Sequence, residues 1–244
     1  MSRKKSSGKQ TAKYTYGPNV FSKITAQVPT TVVNTAAPSH QPVAQTPQNT
    51  PTLPKYYLTN DVIDVDGHKL HRIVAARDIP EIGVEEGEMG GYIESERNLS
   101  HQGTAWVFAG KVYEQASVID GATVRGKNIQ IHGNACLSGG FTAYDDVHLH
   151  GHFRGTGCGK VSGRVDAGDN TIIKGSGSVT DGTIMRNKAT VGGNARVEAG
   201  AVLTGNVVLT GDFRTIGGHY SQGVLGRFAE NPVEVPEHDA SWAK

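Results

Sequence analysis

The chain has 244 residues, of which 36% are hydrophobic and 19% charged, and this composition allows a packed core. No apolar run approaches the roughly 20 residues of a membrane span, and no apolar stretch follows the basic start, so we expect neither membrane contact nor a cleaved signal. The two cysteines, Cys136 and Cys158, are too few for a disulfide framework and lack the paired spacing of a zinc module. A cytosolic origin fits these features best.

Residues 1–55 are predicted to form an extended basic arm. The first 60 residues contain seven Lys and Arg and no Asp or Glu, so the rest of the chain sums to 1 − 7 = −6. Seven of the ten prolines also fall there, and such a segment buries too little apolar surface to order by itself. The candidate partner-binding residues are Arg3, Lys4, Lys5, Lys9, Lys13, Tyr14, Tyr16 and Phe21.

Three interpretations of the arm stay open. Its charges suit nonspecific contact with nucleic acid phosphates, but its aromatic residues are too sparse for a base-stacking platform, so we expect no sequence-specific nucleic-acid binding. The arm also suits an acidic protein surface on which it orders when bound. The third interpretation is a solvated tail without a partner.

Residues 56–104 are predicted to form a small β cap. Tyr56 to Val65 and His68 to Ala75 have the composition of two short strands, joined by the tight turn that Asp66-Gly67 favours. A glycine-punctuated acidic stretch follows. A solenoid needs covered ends, which is sufficient reason for this segment and for a C-terminal tail over 217–244.

A repeat of six residues dominates residues 105–216. Thirteen of fourteen positions in one column are apolar, a second column two residues earlier is mostly small or apolar, and Gly, Asp or Asn recurs two residues later. The first column is Ile131, Leu137, Ala143, Leu149, Gly155, Val161, Ala167, Ile173, Val179, Met185, Val191, Val197, Leu203 and Leu209. Neither a helix nor a simple strand explains a strict period of six.

The period is satisfied by short strands that alternate with turns. Residues i and i−2 of a strand point to one side, and Gly, Asp or Asn near the corner lets the backbone turn. Three units close a triangular coil of 3 × 6 = 18 residues, so residues 18 apart should stack. We therefore predict an all-β, single-stranded parallel β-helix of about six coils, with a one-residue deletion before Val112 and a one-residue insertion before Ile131.

The repeat resembles the hexapeptide-repeat family, as Val191-Gly192-Gly193-Asn194-Ala195 illustrates. The resemblance implies a left-handed β-helix, commonly a homotrimer. The cap motifs Leu70-His71-Arg72-Ile73, Gly90-Gly91-Tyr92-Ile93-Glu94-Ser95 and Asn98-Leu99-Ser100 are similar to those of a group of poorly characterised bacterial and bacteriophage-encoded hexapeptide proteins.

Many members of that family are acyltransferases, which the resemblance implies use a histidine base and often a loop inserted between coils. His132 and His150 are the candidates, because 150 − 132 = 18 places them on one face of successive coils, with His148 and His152 beside the second. The register from Ile129 to Phe213 has no insertion for such a loop, so we favour a solvated or intersubunit histidine ladder. Tyr113 and Gly168, the column neighbours, offer no further ligand, so we predict no metal.

Gly155-Thr156-Gly157-Cys158-Gly159-Lys160 lacks the spacing of a phosphate-binding loop, and its glycines are interpreted as relaxing the packing of one coil.

These observations favour a non-enzymatic structural protein, a bacteriophage virion component that decorates the head or belongs to the tail. Its arm would bind a larger protein assembly and its trimeric solenoid would project, with no cofactor. The alternatives are a hexapeptide acyltransferase that uses acyl-coenzyme A, such as acetyl-coenzyme A, and a module that binds a glycan or receptor.

Overall fold

A computed structural model describes residues 53–226, and the arm residues named above lie outside this range. The described part is almost entirely β-structure, with two short 3-10 helices at Pro80–Ile82 and Glu96–Asn98. The strands are β1 (Tyr56–Val65), β2 (His68–Ala75), β3 (Met89–Ile93), β4 (Trp106–Val112), β5 (Ser117–Val118), β6 (Thr123–Ile131), β7 (Cys136–Leu137), β8 (Thr142–Tyr144), β9 (Val147–Leu149), β10 (Arg154–Gly155), β11 (Lys160–Val161), β12 (Val165–Ala167), β13 (Ile172–Ile173), β14 (Ser178–Val179), β15 (Ile184–Met185), β16 (Thr190–Val191), β17 (Arg196–Glu198), β18 (Val202–Leu203), β19 (Val208–Leu209), β20 (Arg214–Ile216), β21 (His219–Tyr220) and β22 (Val224–Leu225).

The strands stack into a parallel β-solenoid with three faces. One face is the seven-stranded sheet β5, β7, β10, β13, β16, β19 and β22. The second face runs from β8 to β20 through β11, β14 and β17, and the third runs from β9 to β21 through β12, β15 and β18. The long strand β6 pairs with both β8 and β9, so it belongs to two faces. The predicted parallel β-helix is confirmed, but it has about seven coils and not the predicted six.

The predicted 18-residue stacking is also confirmed. Ile131, Leu149, Ala167, Met185 and Leu203 are paired in succession across the third face. The other two inner columns pair in the same way, from Leu137 to Leu209 and from Ala143 to Thr215. β21 and β22 continue the stacking beyond residue 216, into the stretch predicted as a tail.

The two predicted irregularities of the repeat lie where β4 pairs with β6. Val107 pairs with Val124, an offset of 124 − 107 = 17, whereas Val112 pairs with Ile131, an offset of 131 − 112 = 19. Both strands are longer than their successors, and register shifts between these pairs absorb the missing and the extra residue.

The corners depend on backbone conformations that glycine, aspartate and asparagine tolerate. All thirteen turn residues of the predicted column have positive φ; they are Gly133, Gly139, Asp145, Gly151, Gly157, Gly163, Asp169, Gly175, Asp181, Asn187, Gly193, Gly205 and Gly211. The same position in the next-to-last coil is Ala199, with a φ of 58°. An alanine at this φ has a crowded Cβ, so this corner is less favourable than its neighbours.

The core is narrow, and large side chains fit where opposing residues are small. Phe141 is fully buried, and a Cβ added at Gly155 or Gly159 would come within 2.8 Å or 2.9 Å of its ring. These two glycines therefore make room for Phe141, which agrees with their interpretation as packing residues.

Residues 56–104 contain the predicted hairpin. β1 pairs antiparallel with β2, and Asp66 and Gly67 both have positive φ in the turn between them. β2 pairs with β3, and β3 pairs in parallel with β4, so the hairpin continues into the sheet of the solenoid.

Lys55, at the end of the predicted arm, is buried against this segment. Its amine donates a 2.7 Å hydrogen bond to the carbonyl of Ala105. The neighbouring Tyr56 hydroxyl donates to the carbonyl of Leu99 at 2.7 Å. Burial, with the charge of Arg77 second, lowers the pKa of Lys55 to about 8.

Candidate functional site

The predicted histidines lie together on the outer surface of the third face. His148 is the middle residue of β9, where its neighbours Val147 and Leu149 point inward. Asp166 holds the same place in β12 and pairs with His148 in register. His132 and His150 follow β6 and β9 directly, at the corners of successive coils. Alternation along the strands thus presents all four side chains on one surface.

His132 and His150 stack as the sequence predicted. Their ring centroids are 5.7 Å apart and the ring planes differ by 17°. Tyr113 stacks on the other side of His132, at 4.9 Å and 13°. Beyond His150 the column reaches Gly168, where an added Cβ would overlap the His150 ring. The missing side chain at Gly168 therefore gives His150 the space it occupies.

Hydrogen bonds join the corner column to the strand column. The Nε2 atoms of His132 and His148 are 2.7 Å apart, so one donates and the other accepts. His150 Nε2 lies 3.1 Å from Asp166 Oδ1, and His148 Nδ1 lies 3.7 Å from the same oxygen. The four side chains thus form one connected network across three successive coils.

Two glutamates extend the network toward the hairpin. Glu114 Oε2 lies 3.7 Å from His132 Nδ1 and accepts the backbone N–H of Gly133 at 2.6 Å. Glu94 accepts the backbone N–H of Glu114 at 2.6 Å and lies 3.1 Å from His68 Nδ1. Backbone donors therefore hold both carboxylates in place beside the imidazoles.

Arg186 fixes the opposite end of the network. It donates through Nη2 to Asp166 Oδ2, and through Nη1 to the carbonyl oxygens of Met185 and Asp166. Oδ1 of Asp166 remains directed toward His148 and His150. The carboxylate thus has one oxygen on the guanidinium and the other on the imidazoles.

Burial and neighbouring charges set the protonation states. Desolvation lowers the pKa of His132, partly opposed by the charge of Glu114. Desolvation and the neighbouring histidines also lower the pKa of His148. Burial acts to raise the pKa of Asp166, but the hydrogen bond and charge of Arg186 outweigh it and lower that pKa. Near neutral pH, His132 and His148 are therefore neutral and Asp166 is ionised.

This arrangement suits two kinds of chemistry. A neutral imidazole beside a carboxylate can accept a proton, as a general base must. His148, His150 and Asp166 also offer three ligand atoms that all lie within 4.8 Å of one another. These three residues have the ligand types of transition-metal sites.

No metal site was predicted because, in the corner column of His132 and His150, Tyr113 and Gly168 supply no further ligand. His148 and Asp166 lie in the adjacent strand column, and their spacing, 166 − 148 = 18, is the same signal that identified His132 and His150. Applying the repeat to every column would have found the three-residue cluster.

The remaining candidates lie elsewhere. Cys136 is partly buried and Cys158 exposed, and both thiols are free. His152 contacts Asn134 at 3.2 Å on the outer surface. Across residues 53–226, no helix is long and apolar enough to cross a membrane.

Comparison of the chain with models of known protein families finds no match, and a search of curated proteins finds none either. The fold and the site therefore rest on the residues described above.

Proposed function

We infer that the protein is a non-enzymatic structural component of a larger assembly, a bacteriophage virion in which it decorates the head or belongs to the tail. The observation that carries this proposal is the uninterrupted register of the solenoid. Each strand from β7 to β17 pairs with the strand 18 residues later, without an inserted loop. A substrate pocket built on such a loop is missing from this part of the described chain.

The solenoid suits a projecting role. Seven strands stacked at about 4.8 Å make a face roughly 30 Å long. Each coil hydrogen-bonds directly to the next, so the stack resists bending. In the proposal, residues 1–55 bind the assembly, and three solenoids associate side by side as the resemblance to hexapeptide-repeat proteins implies.

Removal of the arm tests the tether. Deletion of residues 1–54 leaves Lys55 and Tyr56 with their carbonyl partners, so the truncated protein should fold and keep its oligomeric state. We expect it to be missing from particles purified from bacteria that the encoding phage infects. Incorporation equal to that of the full-length chain would refute the proposal.

A matched control separates the effect of the arm's positive charges from the effect of removing the arm. In the full-length protein, Arg3, Lys4, Lys5, Lys9 and Lys13 are changed together to Gln. Loss of incorporation would show that the arm binds an acidic surface. Retained incorporation, with loss only on deletion, would assign binding to the apolar anchors Tyr14, Tyr16 and Phe21. Sedimentation of each variant reports the oligomeric state.

The second candidate is acyl transfer, which the pairing of His150 with Asp166 and of His132 with Glu114 favours. A carboxylate beside an imidazole orients and supports a general base. Calorimetry with acetyl-coenzyme A tests it. Binding that His132→Ala or His150→Ala weakens would support an enzyme, whereas no heat of binding in the wild type would exclude it.

A further inference from the structure

A cluster of two imidazoles and one carboxylate lies on the third face of the solenoid, where β9 and β12 pair. We propose that His148, His150 and Asp166 bind one divalent transition-metal ion of the class of Zn²⁺ or Ni²⁺. The ligand atoms would be His148 Nδ1, His150 Nε2 and Asp166 Oδ1. The site lies within a single chain and is independent of the arm and of the proposed structural role.

The distances between the ligand atoms suit a single bound ion. Asp166 Oδ1 is 3.1 Å from His150 Nε2 and 3.7 Å from His148 Nδ1. In a tetrahedral site with bonds of about 2.0 to 2.1 Å, neighbouring ligand atoms lie roughly 3.4 Å apart. Both separations are within about 0.3 Å of that value, and the three residues offer ligand atoms that all lie within 4.8 Å of one another.

The fold holds the ligands in these positions. The parallel pairing of β9 with β12 places His148 beside Asp166. His150 reaches the same point because Gly168 leaves room for its ring. Two of the ligands therefore come from strands of the rigid stack and the third from the corner that follows one of them.

Hydrogen bonds to the outer atoms select the required tautomers. Glu114 faces His132 Nδ1 and thereby favours a proton there, which leaves His132 Nε2 as an acceptor. His148 then donates from Nε2 to His132, and its Nδ1 keeps a free lone pair toward Asp166. Partners of this kind orient metal-binding histidines and tune their affinity.

Arg186 leaves the metal-facing oxygen available. Its guanidinium bonds to Oδ2 of Asp166 and to two backbone carbonyls, so Oδ1 carries no competing donor from Arg186. The positive charge of the guanidinium also favours the ionised carboxylate, which is the form that binds a metal ion.

The ligand set selects the class of ion. Imidazole nitrogen suits Zn²⁺, Ni²⁺, Cu²⁺ and Fe²⁺, whereas Mg²⁺ and Ca²⁺ take mostly oxygen ligands. Three protein ligands leave a fourth position for water or another small ligand.

Calorimetric titration of the chelator-treated full-length protein with ZnCl₂ tests the site. We expect one ion per chain. His148→Ala and His150→Ala should each weaken binding by at least about tenfold, and the matched control His152→Ala should change it by less than about twofold. A wild-type affinity no higher than that of the His148→Ala/His150→Ala double variant would overturn the proposal.

Two further measurements keep the test decisive if an alanine variant unfolds. Asp166→Asn keeps the side-chain shape but removes the charge, and it should also weaken Zn²⁺ binding by about tenfold or more, with the fold checked by circular dichroism. Co²⁺ in the wild type should give the intense visible absorption of a four-coordinate ion with nitrogen ligands. A spectrum equal to that of Co²⁺ in water would overturn the proposal.

Discussion

The backbone of Gly168 lies against the imidazole of His150, and a Cβ on Gly168 would come within 2.6 Å of His150 Nδ1. The φ of Gly168 is not in the left-handed region, so the glycine is required by the neighbouring ring and not by the backbone.

Gly168→Ala should therefore destabilise the protein by about 1–3 kcal/mol, the usual cost of overpacking. In a His150→Ala background the same change should cost much less, because the ring is gone. Urea unfolding of the wild type, the two single variants and the double variant measures the energetic coupling between Gly168 and His150. Equal costs in both backgrounds would show that the two residues do not compete for space.

Two adjacent residues of β14 test which side chains point into the core and which point to solvent. Val179 is fully buried, so Val179→Asp should cost several kcal/mol, on the order of the penalty for an unpaired buried charge. Ser178 faces outward and pairs with Lys160 and Arg196, so Ser178→Asp should stay within about 0.5 kcal/mol of the wild type. Thermal unfolding distinguishes them, and similar melting temperatures would contradict the assigned directions.

Replacement of Ala199 should increase the stability of the protein. Its φ of 58° crowds an alanine Cβ, so Ala199→Gly should raise the free energy of unfolding by about 0.5 kcal/mol or more. Ala201→Gly is the matched control, because Ala201 is buried and its φ is not positive, and this change should destabilise. Chemical denaturation compares the two. A loss of stability in both variants would argue against strain at Ala199.

Because Lys55 is buried, we expect the stability of the protein to depend on pH in the alkaline range. Its pKa is 10.5 in the unfolded chain and about 8 in the folded protein, so between these values the unfolded state binds more protons. Stability should rise with pH through this window, by an amount on the order of 2 kcal/mol. Tyr56, whose pKa burial raises, acts in the opposite direction only above about pH 10.

Unfolding free energies measured from pH 7.5 to 9.5 check this. Lys55→Met should abolish the rise while keeping the rest of the profile. An unchanged slope in Lys55→Met would assign the pH dependence to other groups.

The solenoid could be predicted from the sequence because its geometry repeats. Every inner column has the same spacing, so each confirmed pair, such as Val179 with Val197, supports the same period. The corners could be predicted for the same reason, since only Gly, Asp, Asn and one alanine occupy the left-handed positions of the column.

Contacts that do not repeat along the chain could not be predicted from the sequence. The burial of Lys55 depends on the Ala105 carbonyl, 50 residues later, and no local pattern indicates that contact. The cluster at Asp166 was missed for a different reason: His148 and Asp166 lie in the strand column and His150 in the corner column, and the 18-residue spacing relates residues only within one column.

The anchoring of Lys55 and Tyr56 determines how a mechanical pull would act. Force applied at the start of β1 meets Lys55 and Tyr56, whose side chains bond to carbonyls at positions 105 and 99. Tension thus passes directly to the segment that begins the first coil. The backbone at Lys55 and Tyr56 also pairs with Ala75 and Ala76 at the end of β2, so the hairpin shares the load with these side-chain bonds.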